Sequence, residues 1–221
     1  MFHIVSCGLS NKYFEKRCAM SVAIQITRQK VLHHIVIDYK KEGFCKVFSD
    51  KMEEIKQFDS NDIVGLLDLD DCLLEDAIDT VLKIYNDTGC WLTYGNFKCE
   101  SGHTIIDSRF KQARYFNNYF RRMPWMASHF KTFKLGLYKN LPENWCINSV
   151  NNKYYIAAGD VALMIPMMEM AGLDRIQKCE KIIYQYNNTN PLNDHKINKN
   201  AQWKAFNDIK NRSPLNRIEN L

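Results

Sequence analysis

Glycine and proline are scarce, nine and five in 221 residues, which excludes a collagen-like repeat and a linker-rich, low-complexity chain. No apolar run reaches the roughly 18 to 20 residues that a membrane-spanning helix needs. The opening Met1-Phe2-His3-Ile4-Val5-Ser6 lacks the basic-then-apolar order of a secretory leader and reads as a strand. There is no CxxC pair. The eight cysteines lie scattered at 7, 18, 45, 72, 90, 99, 146 and 179, and Cys90, Cys99 and His103, the nearest thing to a ligand cluster, lack a fourth partner. Buried, reduced thiols are expected, and with them a cytoplasmic protein of a cell or an infected host. Without a leader, the Asn-x-Ser/Thr triplets at Asn86, Asn187 and Asn211 carry no weight.

What is present is an ordinary soluble composition, 46% hydrophobic and 25% charged, with room for one sizeable α/β domain. The first forty residues read as a βαβ unit. Phe2 to Ser6 is a strand, Ser10 caps a helix with Phe14, Cys18, Val22 and Ile26 at four-residue spacing, and Val31 to Ile37 is a second strand ending at Asp38. A helix over Lys51 to Phe58 leads into the apolar run Asp62 to Leu67, which fits a buried parallel strand. Leu74, Ala77, Ile78, Val81 and Tyr85 keep helical spacing, and Cys90 to Phe97 is again strand-like. Val161 to Met170, opened by Asp160 and interrupted by Pro166, predicts a buried, kinked helix, and Ile182 to Tyr186 a strand. Trp203, Phe206 and Ile209 mark a last helix before a basic, mobile tail. The expected division is a main domain over 1–198, with the helix and tail over 199–221.

The strand over 62–67 runs straight into Asp68-Leu69-Asp70-Asp71, so acidic groups stand at a strand's C-terminal end, where open α/β sheets bind ligands. Two chemistries suit them. The carboxylates can hold a hard divalent ion, Mn²⁺ or Mg²⁺, that bridges a diphosphate. Alternatively Asp68 is a nucleophile that becomes an aspartyl phosphate, as in haloacid dehalogenase-like phosphatases, whose opening motif Leu66 to Leu74 resembles. A plain helix start decorated with acids is the third reading. The phosphatase pattern asks for a hydroxyl where Cys72 stands, and for a second late carboxylate where Leu163 and Met164 stand.

Five segments together resemble family 2-type glycosyltransferases of the GT-A fold, in a bacterial and viral branch. They are Asp68-Leu69-Asp70-Asp71 as a DxD-type motif, Trp91-Leu92-Thr93-Tyr94-Gly95, Ser128-His129-Phe130-Lys131-Thr132-Phe133, Gly159-Asp160-Val161-Ala162 with Pro166 to Gly172, and Tyr186-Asn187 with Asn190 to Lys196. The resemblance spans Phe2 to about Lys196. It implies a Rossmann-like, mostly parallel central sheet flanked by helices, and transfer of a sugar from a nucleotide-sugar donor, foremost a UDP-sugar, to a hydroxyl of a glycan, protein or lipid-linked acceptor. Ser6 and Cys7, in the loop after the first strand, and Asp38 would contact the nucleotide, Asp38 through its base. Asp70 would bind the metal with Asp68 beside it on the ribose or the ion, and His195 would be a further metal ligand or diphosphate contact. Asp160 would be the general base that deprotonates the acceptor, giving inversion. Its alternative is a helix cap, as a surface histidine is for His195. His129 and Lys131 are expected to start a helix whose amides hold phosphate, with a plain solvated helix start as their alternative. His33 and His34 read as structural. The sequence departs from the family where only 29 residues separate Asp38 from Asp68, which shortens the nucleotide-side wall. A lapsed binding module that keeps the fold and loses turnover therefore stays open.

Arg109 to Lys139 carries eight Lys or Arg, no Asp or Glu and nine aromatics in 31 residues. Such a mix suits nucleic acid, but a net charge of +5 is modest and no nucleic-acid module is matched, so no nucleic-acid partner is expected. On the transferase reading its aromatics stack on sugars and its arginines hold an anionic acceptor or the leaving diphosphate. The bland alternative is a solvated basic helix. Either this segment or the tail cations Lys204, Lys210, Arg212 and Arg217 could attach peripherally to a membrane that carries a lipid-linked acceptor.

Overall fold

Six of the seven residues of the first strand, β1 (Phe2–Gly8), are buried, the pattern of a strand covered on both faces. The structure, a computed structural model, describes residues 1–106, 120–125 and 127–221; the side chain of His195 lies outside that description, as does 109–119 of the basic aromatic segment. Helix α1 (Lys12–Ala23) follows β1 and leads to β2 (Val31–Ile37), paired parallel to β1. The cap of α1 is Asn11, whose side chain accepts the Tyr13 and Phe14 amides at 3.1 and 3.2 Å. Ser10, the expected cap, instead donates its hydroxyl to Glu15 at 3.0 Å. Cys18 and Val22 face the core, whereas Ile26 lies past the helix end in solvent.

Helix α2 (Phe44–Ile55) starts earlier than its expected Lys51, because Cys45, Phe48, Met52 and Ile55 make one buried face. Strand β3 (Ile63–Leu66) pairs parallel with the other side of β1. Then come β4 (Cys72–Leu73), α3 (Ala77–Thr88), β5 (Leu92–Gly95), β6 (Phe97–Cys99) and β7 (Thr104–Ile105). A later group comprises β8 (Lys131–Lys134), α4 (Leu135–Lys139), α5 (Gly159–Ala171), β9 (Ile176–Cys179), β10 (Tyr184–Tyr186), α6 (Asp194–Ile197) and α7 (Lys199–Asn211).

The central sheet has the order β2-β1-β3-β8-β5-β9, with β8 alone running antiparallel to its neighbours. This is the mixed α/β, mostly parallel architecture expected. A smaller sheet, β4-β10-β6-β7, stands beside it. The helix expected to begin at His129 and Lys131 is absent. Lys131 opens β8, drawn into extended form by pairing with β3 on one side and β5 on the other, so no helix N-terminus is available there for a phosphate.

Two cores cover the sheet's faces. One gathers α2, α5, α7 and the inward residues of β5 and β8; the other gathers α1, α3 and β10. In α7 the buried residues are Ala205 and Ile209, while Trp203 is 64% exposed, contrary to its expected inward role. The C-terminal tail is docked rather than mobile. The Ile218 amide donates to the Met170 carbonyl at 3.0 Å, Arg217 makes two 2.8 Å bonds to Asp174, and Leu215, Ile218 and Leu221 pack on the first core. All eight cysteines are free thiols. Among the described residues, no helix is long and apolar enough to cross a membrane.

Candidate active site

Because β1, β2 and β3 run the same way, their C-terminal ends lie along one edge of the sheet, and the reversed β8 brings its N-terminal end to the same edge. The chain exits are tied to one another. The Asp38 amide donates to the Gly8 carbonyl at 2.8 Å, and the Leu69 amide to the Cys7 carbonyl at 3.2 Å. A cleft of about 670 Å³ opens there, lined by Cys7, Asp38, Asp68, Asp70, His129, Lys131 and Asp160 among others. Seven of the nine residues singled out in the sequence thus line one cleft. Ser6 does not: its side chain is fully buried and its hydroxyl meets His33 Nε2 at 2.9 Å and Cys18 Sγ at 3.3 Å. His33 is therefore structural, as expected. The side chain of His195 lies outside the described residues.

The acidic turn is built by hydrogen bonds from distant elements. Asp71 is fully buried, accepting the Tyr184 hydroxyl at 2.6 Å and the Asn187 amide at 2.7 Å. The cleft-facing carboxylates are accordingly Asp68 and Asp70. Asp70 Oδ2 accepts Asn190 Nδ2 at 2.6 Å, and its carbonyl accepts the Arg17 guanidinium, which also pairs with Glu100. Burial pushes Asp68 up to about 7; Lys131 opposes that rise, and Asp70 and Asp160 add to it. Burial also raises Asp70, and raises Asp71 well above the usual carboxylate range.

His129 lies stacked between Tyr184 and Tyr186, with ring centroids at 4.5 and 5.6 Å. Burial, with Lys131 alongside, holds its imidazole well below its ordinary pKa and therefore neutral. One ligand atom each from Asp68, Asp71 and His129 lies within 4.8 Å of the others. Two carboxylates and an imidazole are donors that a hard divalent ion accepts, but Asp70, the expected ligand, is not in this group, and Asp71 spends both oxygens on Tyr184 and Asn187. Asp38, by contrast, uses both carboxylate oxygens on its own loop, accepting the Glu42 and Gly43 amides at 2.9 and 2.8 Å.

Every residue of α5 is buried except Asp160, which stands in its first turn at the cleft. It is not the cap, since Ala158 precedes the helix; its Oδ1 accepts the Val161 amide at 2.9 Å. Arg121, from the basic aromatic segment, is buried against Glu169 through two 2.8 Å bonds, so it does not reach the cleft as an anion-holding arginine. Sequence reasoning quotes Asp71 and Asn190 within their motifs without a role of their own, and passes over Tyr184 and Arg17. The i, i+2 spacing of Tyr184 and Tyr186 on one strand face was the available signal for the aromatic pair.

TarS of S. aureus shares this architecture, at 14% identity over 84% of this chain and 36% of that one, with a TM-score of 0.57. The likeness is one of fold. A shorter TarS form bound to UDP matches at 13% identity and a TM-score of 0.57, covering 84% of this chain and 60% of that one. The same form bound to UDP-GlcNAc matches at 14% identity and 0.56, covering 84% and 58%. This chain thus spans less than two thirds of the TarS chains it matches. No protein-family model and no curated sequence matches it.

Proposed function

We propose that this protein is a nucleotide-sugar-dependent glycosyltransferase that acts on a hydroxyl acceptor. The observation that carries the reading is the meeting of Asp68, Asp70 and Asp160 in one cleft at the C-terminal ends of β1, β2 and β3. The fold shared with a protein solved in complex with UDP-GlcNAc supports a UDP-sugar as donor. In this reading the donor's diphosphate lies over the β1 exit at Cys7 and Gly8. Asp70 and Asp68 would hold Mn²⁺ or Mg²⁺, with neutral His129 alongside, and the bound ion supplies positive charge to the departing nucleotide.

Asp160 lines the same cleft from the first turn of α5. Its carboxylate takes the proton of the acceptor hydroxyl as that oxygen attacks the anomeric carbon; the sugar–phosphate bond breaks and the nucleoside diphosphate leaves from the other side, which inverts the centre. The acceptor, whether glycan, protein or lipid-linked, enters on the Asp160 side, and the protein works in the cytoplasm, in contact with a membrane surface where the acceptor is lipid-linked.

The test is calorimetric titration of UDP, UDP-sugars and other nucleoside diphosphates, with and without Mn²⁺, on wild type and Asp70→Ala. Binding of one nucleotide class that weakens at least tenfold without Mn²⁺ or without Asp70 is the expected result. No binding of any nucleotide, with binding of a phosphate mimic instead, would overturn the reading in favour of the phosphatase.

A further inference from the structure

Lys131 is 4% exposed by side chain, yet it lies among charged groups of the cleft rather than in the apolar core. Its backbone pairs across from Leu66, the last residue of β3, which sets the side chain beside the exit that carries Asp68. Its Nζ stands 3.3 Å from Asp160 Oδ2 and 3.3 Å from His129 Nδ1. A buried ammonium is costly unless it is paired and hydrogen-bonded, so the side chain is held where these partners are.

Asp160 is correspondingly held at both oxygens. Oδ1 accepts the Val161 amide of its own helix, and Oδ2 faces the Lys131 ammonium. The helix bond alone leaves the carboxylate free to swing about that contact; the lysine closes the second point. Resting on the transferase reading above, we propose that Lys131 is a positioning residue for transfer, fixing the Asp160 carboxylate toward the acceptor rather than binding the donor itself. Misplacing a reacting group by about 1 Å can cost about a hundredfold in rate, which sets the size of the effect.

The experiment compares wild type, Lys131→Met, Lys131→Arg, Asp160→Asn and the Lys131→Met/Asp160→Asn pair. Each is measured for UDP affinity by calorimetry, for kcat and KM of UDP-sugar turnover, and for thermal melting to confirm folding. Lys131→Met is expected to lower kcat about a hundredfold with UDP affinity and donor KM within about threefold of wild type. Lys131→Arg, which keeps the cation, restores part of the loss. The pair is no slower than Asp160→Asn alone, because both changes disable one group. Multiplicative losses, or a Lys131→Met that loses UDP affinity while keeping kcat, would overturn the positioning role and make the lysine a diphosphate contact. Where Lys131→Met fails to fold, Lys131→Gln takes its place: a loss of UDP affinity with kcat kept, or a loss that multiplies with that of Asp160→Asn, again overturns the role. Turnover that Lys131→Met leaves unchanged overturns the positioning proposal alone, whereas a wild type that binds UDP and turns over no donor, or that binds no nucleotide, removes the transferase reading with it.

Discussion

The Tyr184 hydroxyl donates to Asp71 Oδ2 at 2.6 Å while it accepts the Asp68 amide at 3.2 Å, so one phenol on β10 ties both ends of the acidic turn. Both Tyr184 and Asp71 are fully buried, and no water can replace a lost partner. Tyr184→Phe keeps the ring, its stacking on His129 and its volume, and removes only these bonds. It should lower stability by about 1.5 to 3 kcal/mol, the range for a hydrogen bond to a charged or acidic group, as read from urea denaturation. It should also weaken Mn²⁺-dependent UDP binding, because Asp68 then loses its anchor. Unchanged UDP affinity alongside a normal loss of stability would mean that the turn is held by Asn187 and Asn190 alone.

Asp68 links the cleft to pH. Its folded-state value of about 7 lies above the ordinary carboxylate value near 3.9, so between those two pH values the folded protein keeps a proton that the unfolded chain has released. For this group, stability is therefore fully present at acid pH and is lost as pH rises from about 4 to about 7. Asp68→Asn cannot titrate. In EDTA the variant should gain on wild type steadily from pH 4.5 to 7.5 in urea denaturation, and the gap should stay level above that. Parallel curves at all pH values would show that Asp68 ionises at its ordinary pH in the folded state.

Much of this architecture was legible because it is local. The βαβ opening, the apolar 62–67 run and the buried α5 each announce themselves within a dozen residues, by period and by flanking acid. The meeting of Asp68, Asp70 and Asp160 in one cleft follows from strand ends, which topology rules place together. What was hidden is non-local. Lys131-Thr132-Phe133-Lys134 has no apolar run of its own; it is a strand because β3 and β5, well before it in the chain, offer edges on both sides. The Lys131–Asp160 pair and the Tyr184–Asp71 bond join residues whose spacing carries no period. The tail's charges suggest mobility, yet Arg212 and Arg217 find carbonyls and Asp174 on the folded surface.

Behind α5 lies an ion pair with a different lesson. Arg121 and Glu169 are 4% and 2% exposed by side chain, and Glu169 Oε2 also accepts the Leu215 amide of the tail at 3.0 Å. Removing one partner leaves the other charged and buried, so Arg121→Met should cost about 3 to 5 kcal/mol. Replacing both with methionine removes the uncompensated charge, and the double variant should be more stable than Arg121→Met alone. Thermal melts of wild type, Arg121→Met, Glu169→Met and the double variant decide it; a double variant that loses the sum of the single losses would make the pair a net source of stability.

Two glycines separate shape at the cleft from shape elsewhere. A Cβ on Gly8 would stand 2.7 Å from Leu69 Cβ, so alanine there pushes against the backbone that carries Asp68 and Asp70. Gly89 closes α3 at φ +65° with nothing within 4 Å of a would-be Cβ, so alanine there meets only the left-handed backbone penalty of about 1 kcal/mol. Gly8→Ala should therefore lower Mn²⁺-dependent UDP affinity at least tenfold while the protein still folds, whereas Gly89→Ala should lower the melting temperature and leave that affinity unchanged. Calorimetry on both, at matched fractions folded, reads the contrast directly. Equal affinities would place the diphosphate away from the β1 exit, and would move the donor site toward the β10 side of the acidic turn.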